Sequence, residues 1–278
     1  MGIGIDLPVI FNDDRKDLGI WPSTAPPLIL PEQLLLLYLD DDLAVANNRQ
    51  VNYFLIAATL AELFLFHRLE YQAGGTIHVH DTTPVSHAVL DATLKFICSL
   101  DISEARRRVS YKELQDDDLY IWIELLQRDL LTGSTWPLHH INQFWKFVAH
   151  SLSLKGILTE KENTGWLFKT KGYEFNGFTE KRTLLNAVRK AVSSRYAVDD
   201  RMAHLISLVY KSDELCMSGN LRSRSLKIIP PDESDMWKEK YYVLSNELVV
   251  VKKIGEAAAH VIEIAELRGS LMPPPMHG

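Results

Sequence analysis

The chain has 278 residues, 46% of them hydrophobic, and a formal net charge of −6. This is ample apolar material for a sizeable core, and the acidic balance weighs against a general nucleic-acid binder. No apolar run reaches the roughly 20 residues that cross a bilayer, since the longest candidate, Val51 to Phe66, is interrupted by Asn52 and Glu62. Two cysteines, Cys98 and Cys216, make no disulfide framework and point to a reducing, cytoplasmic setting.

Residues 1–27 have no sustained period, and Pro22, Pro26 and Pro27 disfavour helix, so they are expected to form an N-terminal arm or tail. Asp6, Asp13 and Asp14 fall where the basic and apolar regions of a signal peptide would be. Pro31 suits the first turn of a helix, and Glu32 to Leu39, with Leu34 to Leu37, is expected to be short and buried on most sides. Asp40-Asp41-Asp42 reads as a solvated loop. From about Arg49 to Arg68, Phe54, Leu55, Ala58, Ala61 and Leu65 give a wide apolar face, predicted to be the central buried helix.

Ala73-Gly74-Gly75 is a turn, and Thr76 to Asp81 alternates like a strand. His78, His80 and Asp81 lack a further partner in the sequence, so no metal is expected there. Pro84 to Leu100 is predicted helical, Arg106-Arg107-Arg108 a polar connection, and Leu119 to Leu131 a helix. Phe147, Val148 and Leu152 recur at helical spacing up to Gly156, where only glycine takes a left-handed stop without cost. A hairpin follows, with arms Trp166–Phe168 and Tyr173–Phe175 and the turn at Lys169–Gly172. Lys181 to Tyr196, Arg201 to Leu215 and Leu248 to Leu267 are further helices. The stretch Ile228 to Asp232 is a proline break, and residues 271–278 form a flexible C-terminal end.

The expected fold is mainly α, a single helical domain over residues 28–270 with a central buried helix and a small β-hairpin. Helix followed by hairpin is also the outline of a winged helix, which makes a nucleic-acid-binding protein the competing reading. Lys146 and Lys155 are the basic residues that its recognition helix would offer, few for phosphate neutralisation. There is no Gly-rich phosphate loop, nucleophile elbow or metal-ligand cluster, and the His139-His140 pair is the nearest thing to a polar constellation. No enzyme activity, cofactor or metal is therefore expected.

Several pieces carry a resemblance in a consistent order over about residues 28 to 217. They are Leu30-Pro31-Glu32-Gln33 with Leu34 to Asp40, Leu60-Ala61-Glu62-Leu63 with Arg68-Leu69, and Leu90 to Lys95. Trp122 to Leu126 follows, then Lys155-Gly156-Ile157-Leu158-Thr159 with Trp166-Leu167-Phe168, and Arg201-Met202 with Leu205, Leu208, Tyr210 and Ser212-Asp213. The chain resembles the Golgi phosphoprotein 3 family. The resemblance implies a helical, non-enzymatic peripheral membrane adaptor that recognises phosphatidylinositol 4-phosphate and holds the cytosolic tails of Golgi glycosyltransferases. The hairpin would serve membrane contact or self-association.

The family's lipid pocket aligns with Asn47, Ile56, Asn142 and Trp145, where its tryptophan and arginines are replaced. That pattern suits a bacterial or otherwise divergent member in which specific phosphoinositide recognition is not preserved. Arg49, Trp145 and Lys146 are the lipid-headgroup candidates. Trp166, Leu167, Phe168, Lys169, Lys171 and Tyr173 are the candidates for a membrane or oligomer contact through the hairpin. The expected partners are anionic membrane lipids, protein tails and a second copy of the chain, with no nucleic acid.

Overall fold

In a computed structural model, residues 27–39, 49–72, 74–109, 117–130, 144–164, 169–194, 197–217 and 228–269 are described. Among them are ten α-helices and two antiparallel two-stranded sheets, so the protein is mainly α as the sequence predicts, with two small hairpins in place of one. A continuous apolar core runs from Leu28 to Ile264.

Helix α1 spans Leu30–Tyr38, with Pro31 in its first turn and Leu34 to Leu37 buried. Helix α2, Arg49–Leu65, is the central element, with Val51, Phe54, Leu55, Ile56, Ala57, Ala58, Leu60 and Ala61 buried all round. It packs on α1 and on five helices introduced below. The central helix expected from the apolar pattern is thus borne out, though it ends at Leu65 rather than Arg68. The chain turns there with His67 at φ 52°.

Strands β1, Leu69–Gln72, and β2, Thr76–Val79, form the first hairpin around Gly74 and Gly75, whose φ values of 97° and 83° favour glycine. Helix α3 spans Ala88–Cys98 and begins later than the sequence suggests. The Asp91 carboxylate accepts hydrogen bonds from the Val85 and His87 N–H groups at 2.7 and 3.1 Å, holding the preceding residues outside the helix. The arginine triplet is not a connection but the last turn of α4, Ile102–Arg108. Asp101 caps its start by accepting from Ser103 N, and Glu104 pairs with Arg107 and Arg108. Helix α5, Asp118–Leu125, continues into a π-helical turn, Leu126–Leu130.

Helix α6, Phe144–Leu154, stops as expected at Gly156, with φ 76°. The Ile157 N–H donates to the Leu152 carbonyl and the Gly156 N–H to that of Ser153, which satisfies the last carbonyls of the helix. The second hairpin differs in register from the sequence reading. Its strands are β3, Leu158–Thr164, and β4, Lys169–Phe175, with Leu158 opposite Phe175 and Thr164 opposite Lys169. Lys169–Gly172 is therefore strand, not turn. Trp166, Leu167 and Phe168 lie between the strands and outside the described residues, as does any statement about which way they face.

Helices α7, Phe178–Ser193, α8, Asp200–Met217, and α10, Val249–Gly269, match the expected pattern. Between them lies α9, Ser234–Glu247, which the sequence reading missed. Helix α2 packs against α3, α5, α6, α8 and α10.

Candidate functional site: the junction of α6 with the second hairpin

Two of the headgroup candidates meet Tyr173 of β4 at the outer edge of α6. Trp145 is almost wholly buried and its backbone N–H donates to Asn52 Oδ1 at 2.7 Å, which joins α6 to the central helix. The Tyr173 ring packs edge-on against the Trp145 ring, with centroids 6.0 Å apart, and its hydroxyl donates to the Lys146 carbonyl at 3.4 Å. The Lys146 ammonium lies 5.8 Å from the centre of the Trp145 ring, within cation–π range. Burial, helped by the nearby Glu160 carboxylate, pushes the Tyr173 hydroxyl up to about 12, so it stays a neutral donor. The junction thus offers one ammonium over the Trp145 ring, with the Tyr173 ring packed against that indole.

The aligned pocket position Ile56 is fully buried in the core and has no donor to offer a phosphate. Asn47 and Asn142 lie outside the described residues. Arg49 opens α2 one helical turn before Asn52. Lys169 and Lys171 alternate with the ladder of β4, opposite Thr164 and Glu162. The structure therefore brings Trp145, Lys146 and Tyr173 together and puts the backbones of Lys169 and Lys171 on the adjoining strand.

Deeper in the fold are polar ties that no local pattern announced. Glu32, fully buried on α1, accepts from the Ile29 N–H at 2.9 Å, from Ser151 Oγ at 2.6 Å and from Lys155 Nζ at 2.5 Å, with His87 Nε2 3.2 Å away. Burial alone pushes the Glu32 carboxyl up, but the hydrogen bonds from His87, Lys155 and Ser151 outweigh it and hold the group below its ordinary value. The same Lys155 ammonium donates to the Pro27 carbonyl at 2.9 Å.

Although Ser, His and Glu meet here, the arrangement is a brace rather than a nucleophile. The Ser151 proton is directed to Glu32, and the single imidazole nitrogen Nε2 faces both Ser151, at 3.1 Å, and Glu32. A relay through the imidazole would need the carboxylate on Nδ1, which has no hydrogen-bond partner. Glu62, fully buried on α2, accepts from the Leu30 N–H at 2.8 Å and from Arg201 of α8 through Nε at 3.1 Å and through Nη2. Asp213 accepts from the Ile228 and Ile229 N–H groups, fixing the chain that leads into α9.

Away from the junction, Asp81 pairs with Arg68 at 2.8 Å and accepts from the Thr83 N–H, while His78 and His80 are exposed. Among the described residues no group of three or more His, Cys, Asp and Glu is arranged to hold a metal.

A family model described as Golgi phosphoprotein 3 (GPP34) matches residues 30–225. The chain belongs to the Golgi phosphoprotein 3 family. A search of curated proteins gives no match. Seen against this Golgi phosphoprotein 3 membership, the residues that carried the resemblance form the braces. Glu32, Glu62, Lys155, Arg201 and Asp213 all tie segments distant in the chain, and Gly156 ends α6. No helix among the described residues is long and apolar enough to cross a membrane.

Proposed function

We propose that this Golgi phosphoprotein 3 family member is a non-enzymatic, cytoplasmic peripheral membrane or adaptor protein that meets anionic lipid surfaces by charge and aromatic contact. The observation that carries the reading is the Trp145–Lys146–Tyr173 junction beside the second hairpin, in the region where the family's lipid pocket aligns. Trp145 is almost wholly buried, so the parts of the junction that can reach the membrane–water interface, which favours ammonium groups and aromatic rings, are Lys146 and the half-buried Tyr173 ring. With Ile56 in the core, the pocket is not built for one multiply charged headgroup, so overall anionic charge rather than phosphoinositide identity governs binding. The hairpin is a contact surface for the membrane or a second copy, and protein tails are the clients of the adaptor role.

The winged-helix alternative finds no support. Of the two cations on its would-be recognition helix and turn, Lys155 is engaged by Glu32 and Pro27.

Liposome co-sedimentation tests the proposal with phosphatidylcholine vesicles, with phosphatidylserine mixtures, and with mixtures of equal charge containing phosphatidylinositol 4-phosphate. The expected result is binding to both anionic sets alike, falling steeply with salt, and weaker by several-fold for Lys146→Gln. Binding confined to the phosphoinositide vesicles would overturn the charge-driven reading. The absence of binding to any vesicle would overturn the membrane role.

A further inference from the structure

Helix α7 follows the second hairpin after only two residues, Asn176 and Gly177. A Cβ at Gly177 would lie 2.5 Å from Ile157 Cγ2 and 3.0 Å from the Phe175 ring. The start of α7 is therefore fixed to the hairpin base. Phe178, the first residue of α7, stacks at a tilt on Phe175 with centroids 4.7 Å apart, yet remains 54% exposed. Burial could have been expected for a phenylalanine in this position, and its exposure leaves an aromatic face without a partner.

The helix that follows is basic, with Lys181, Arg182, Arg189 and Lys190 against Glu180. These cations divide into two sets. Lys181 donates to the Leu39 carbonyl and Arg189 pairs with Glu233 at 3.5 Å, so both are used inside the molecule. Arg182 and Lys190 are exposed and meet no carboxylate among the described residues. With Phe178, Arg182, Asn186 and Lys190 at successive four-residue steps, the outward face of α7 is a slowly winding stripe of one aromatic, two cations and an amide. Its opposite face, Leu184, Ala187, Val188, Ala191 and Val192, is in the core, so the helix cannot turn the stripe inward.

We propose that this outward face of α7 is a second docking surface, and that its occupant is an anionic membrane. Charge complementarity selects the occupant class, and the spacing selects among anionic partners. Arg182 and Lys190 are eight residues apart, about 12 Å along a helix, too far to clasp one phosphate and suited to separate lipids in a charged surface. Phe178 at the hairpin end supplies the aromatic ring that settles at headgroup depth, and the long basic side chains reach the same plane by extending past it. The stripe begins at the base of the second hairpin, where Phe178 packs on Phe175. This inference rests on the membrane reading above and adds a site to it.

The test is co-sedimentation of the full chain with phosphatidylcholine vesicles and with phosphatidylcholine–phosphatidylserine vesicles, alongside sedimentation velocity without lipid. Arg182→Gln/Lys190→Gln should weaken binding to the anionic vesicles about 30-fold, from about 1 kcal/mol for each basic residue near the surface. Phe178→Ser should weaken it about tenfold. Both should leave the thermal midpoint near that of the parent; should Phe178→Ser unfold the chain, the exposed double substitution still decides the matter. Parent protein that binds while the double variant binds equally overturns this surface alone. Parent protein that binds no vesicle overturns the membrane reading and the α7 surface with it. A dimer that dissociates in the double variant, with vesicle binding unchanged, assigns the face to a second copy and overturns the membrane as its occupant.

Discussion

Replacing Lys155 by methionine should destabilise the protein by about 2–3 kcal/mol at neutral pH, and the loss should fade in acid. The ammonium sits 2.5 Å from a fully buried carboxylate and also holds the Pro27 carbonyl. Removing one partner of a buried pair costs about 3–5 kcal/mol, and a hydrogen bond to a charged group contributes about 1.5–3 kcal/mol. Lys155 retains 19% side-chain exposure, and Ser151, His87 and Ile29 still face Glu32 in the variant, which brings the expectation to the lower value.

The pH sign follows from Glu32, whose carboxyl is held below its ordinary 4.5 in the folded protein. That contribution is present in full above the unfolded value and is lost as pH falls through the folded one. Urea unfolding followed by circular dichroism, at neutral pH and on the acid side of 4.5, measures both quantities. A gap under about 0.5 kcal/mol, within the range of ordinary surface substitutions, or a gap that does not narrow in acid would refute the account of the brace.

His204 is buried on α8, and burial pushes its imidazole down to about 4. The unfolded chain takes up a proton near 6.5 that the fold refuses, so stability is full above 6.5 and is lost between there and about 4. His204→Leu should remove about 3 kcal/mol of that acid-side loss, and equal slopes for both proteins across the window would count against it. Gly177→Ala should cost about 1–3 kcal/mol through its clash with Ile157, measured by thermal unfolding. In an Ile157→Ala background the penalty should largely vanish, and an unchanged penalty there would mean that the close approach is not its cause.

The helices that bury an apolar stripe were legible because their side chains repeat at helical spacing, as Val51 to Ala61 and Leu184 to Val192 do. The second hairpin was misread for a physical reason. Its first strand is Leu-Thr-Glu-Lys-Glu-Asn-Thr, with charges where β-branched or aromatic residues are expected, and it is held by the ladder to β4 and by the Lys161–Glu174 pair at 2.8 Å. Lys169 to Gly172 has the composition of a turn, yet it pairs with Thr164 to Lys161 as strand. Helix α9 carries Trp237, Tyr241 and Leu244 at helical spacing, masked in the sequence by the prolines just before it and by the polar residues between them. Helix α4 was hidden by its arginine triplet, whose charges suit a helix C-terminus. At the junction, Trp145 and Lys146 were found through the resemblance. Their approach to Tyr173 depends on the register of β4, which no local pattern encodes.

The braces also bear on the order in which the molecule assembles. Glu32 meets Ser151 and Lys155 across 119 and 123 residues, and Glu62 meets Arg201 across 139. Closing loops of that span costs chain entropy that is recovered only once the helices they join are already in place. Contacts that close last are missing from the barrier to folding and present in the native state. The expectation is that these braces act as latches, so that Lys155→Met speeds unfolding more than it slows folding in stopped-flow kinetics.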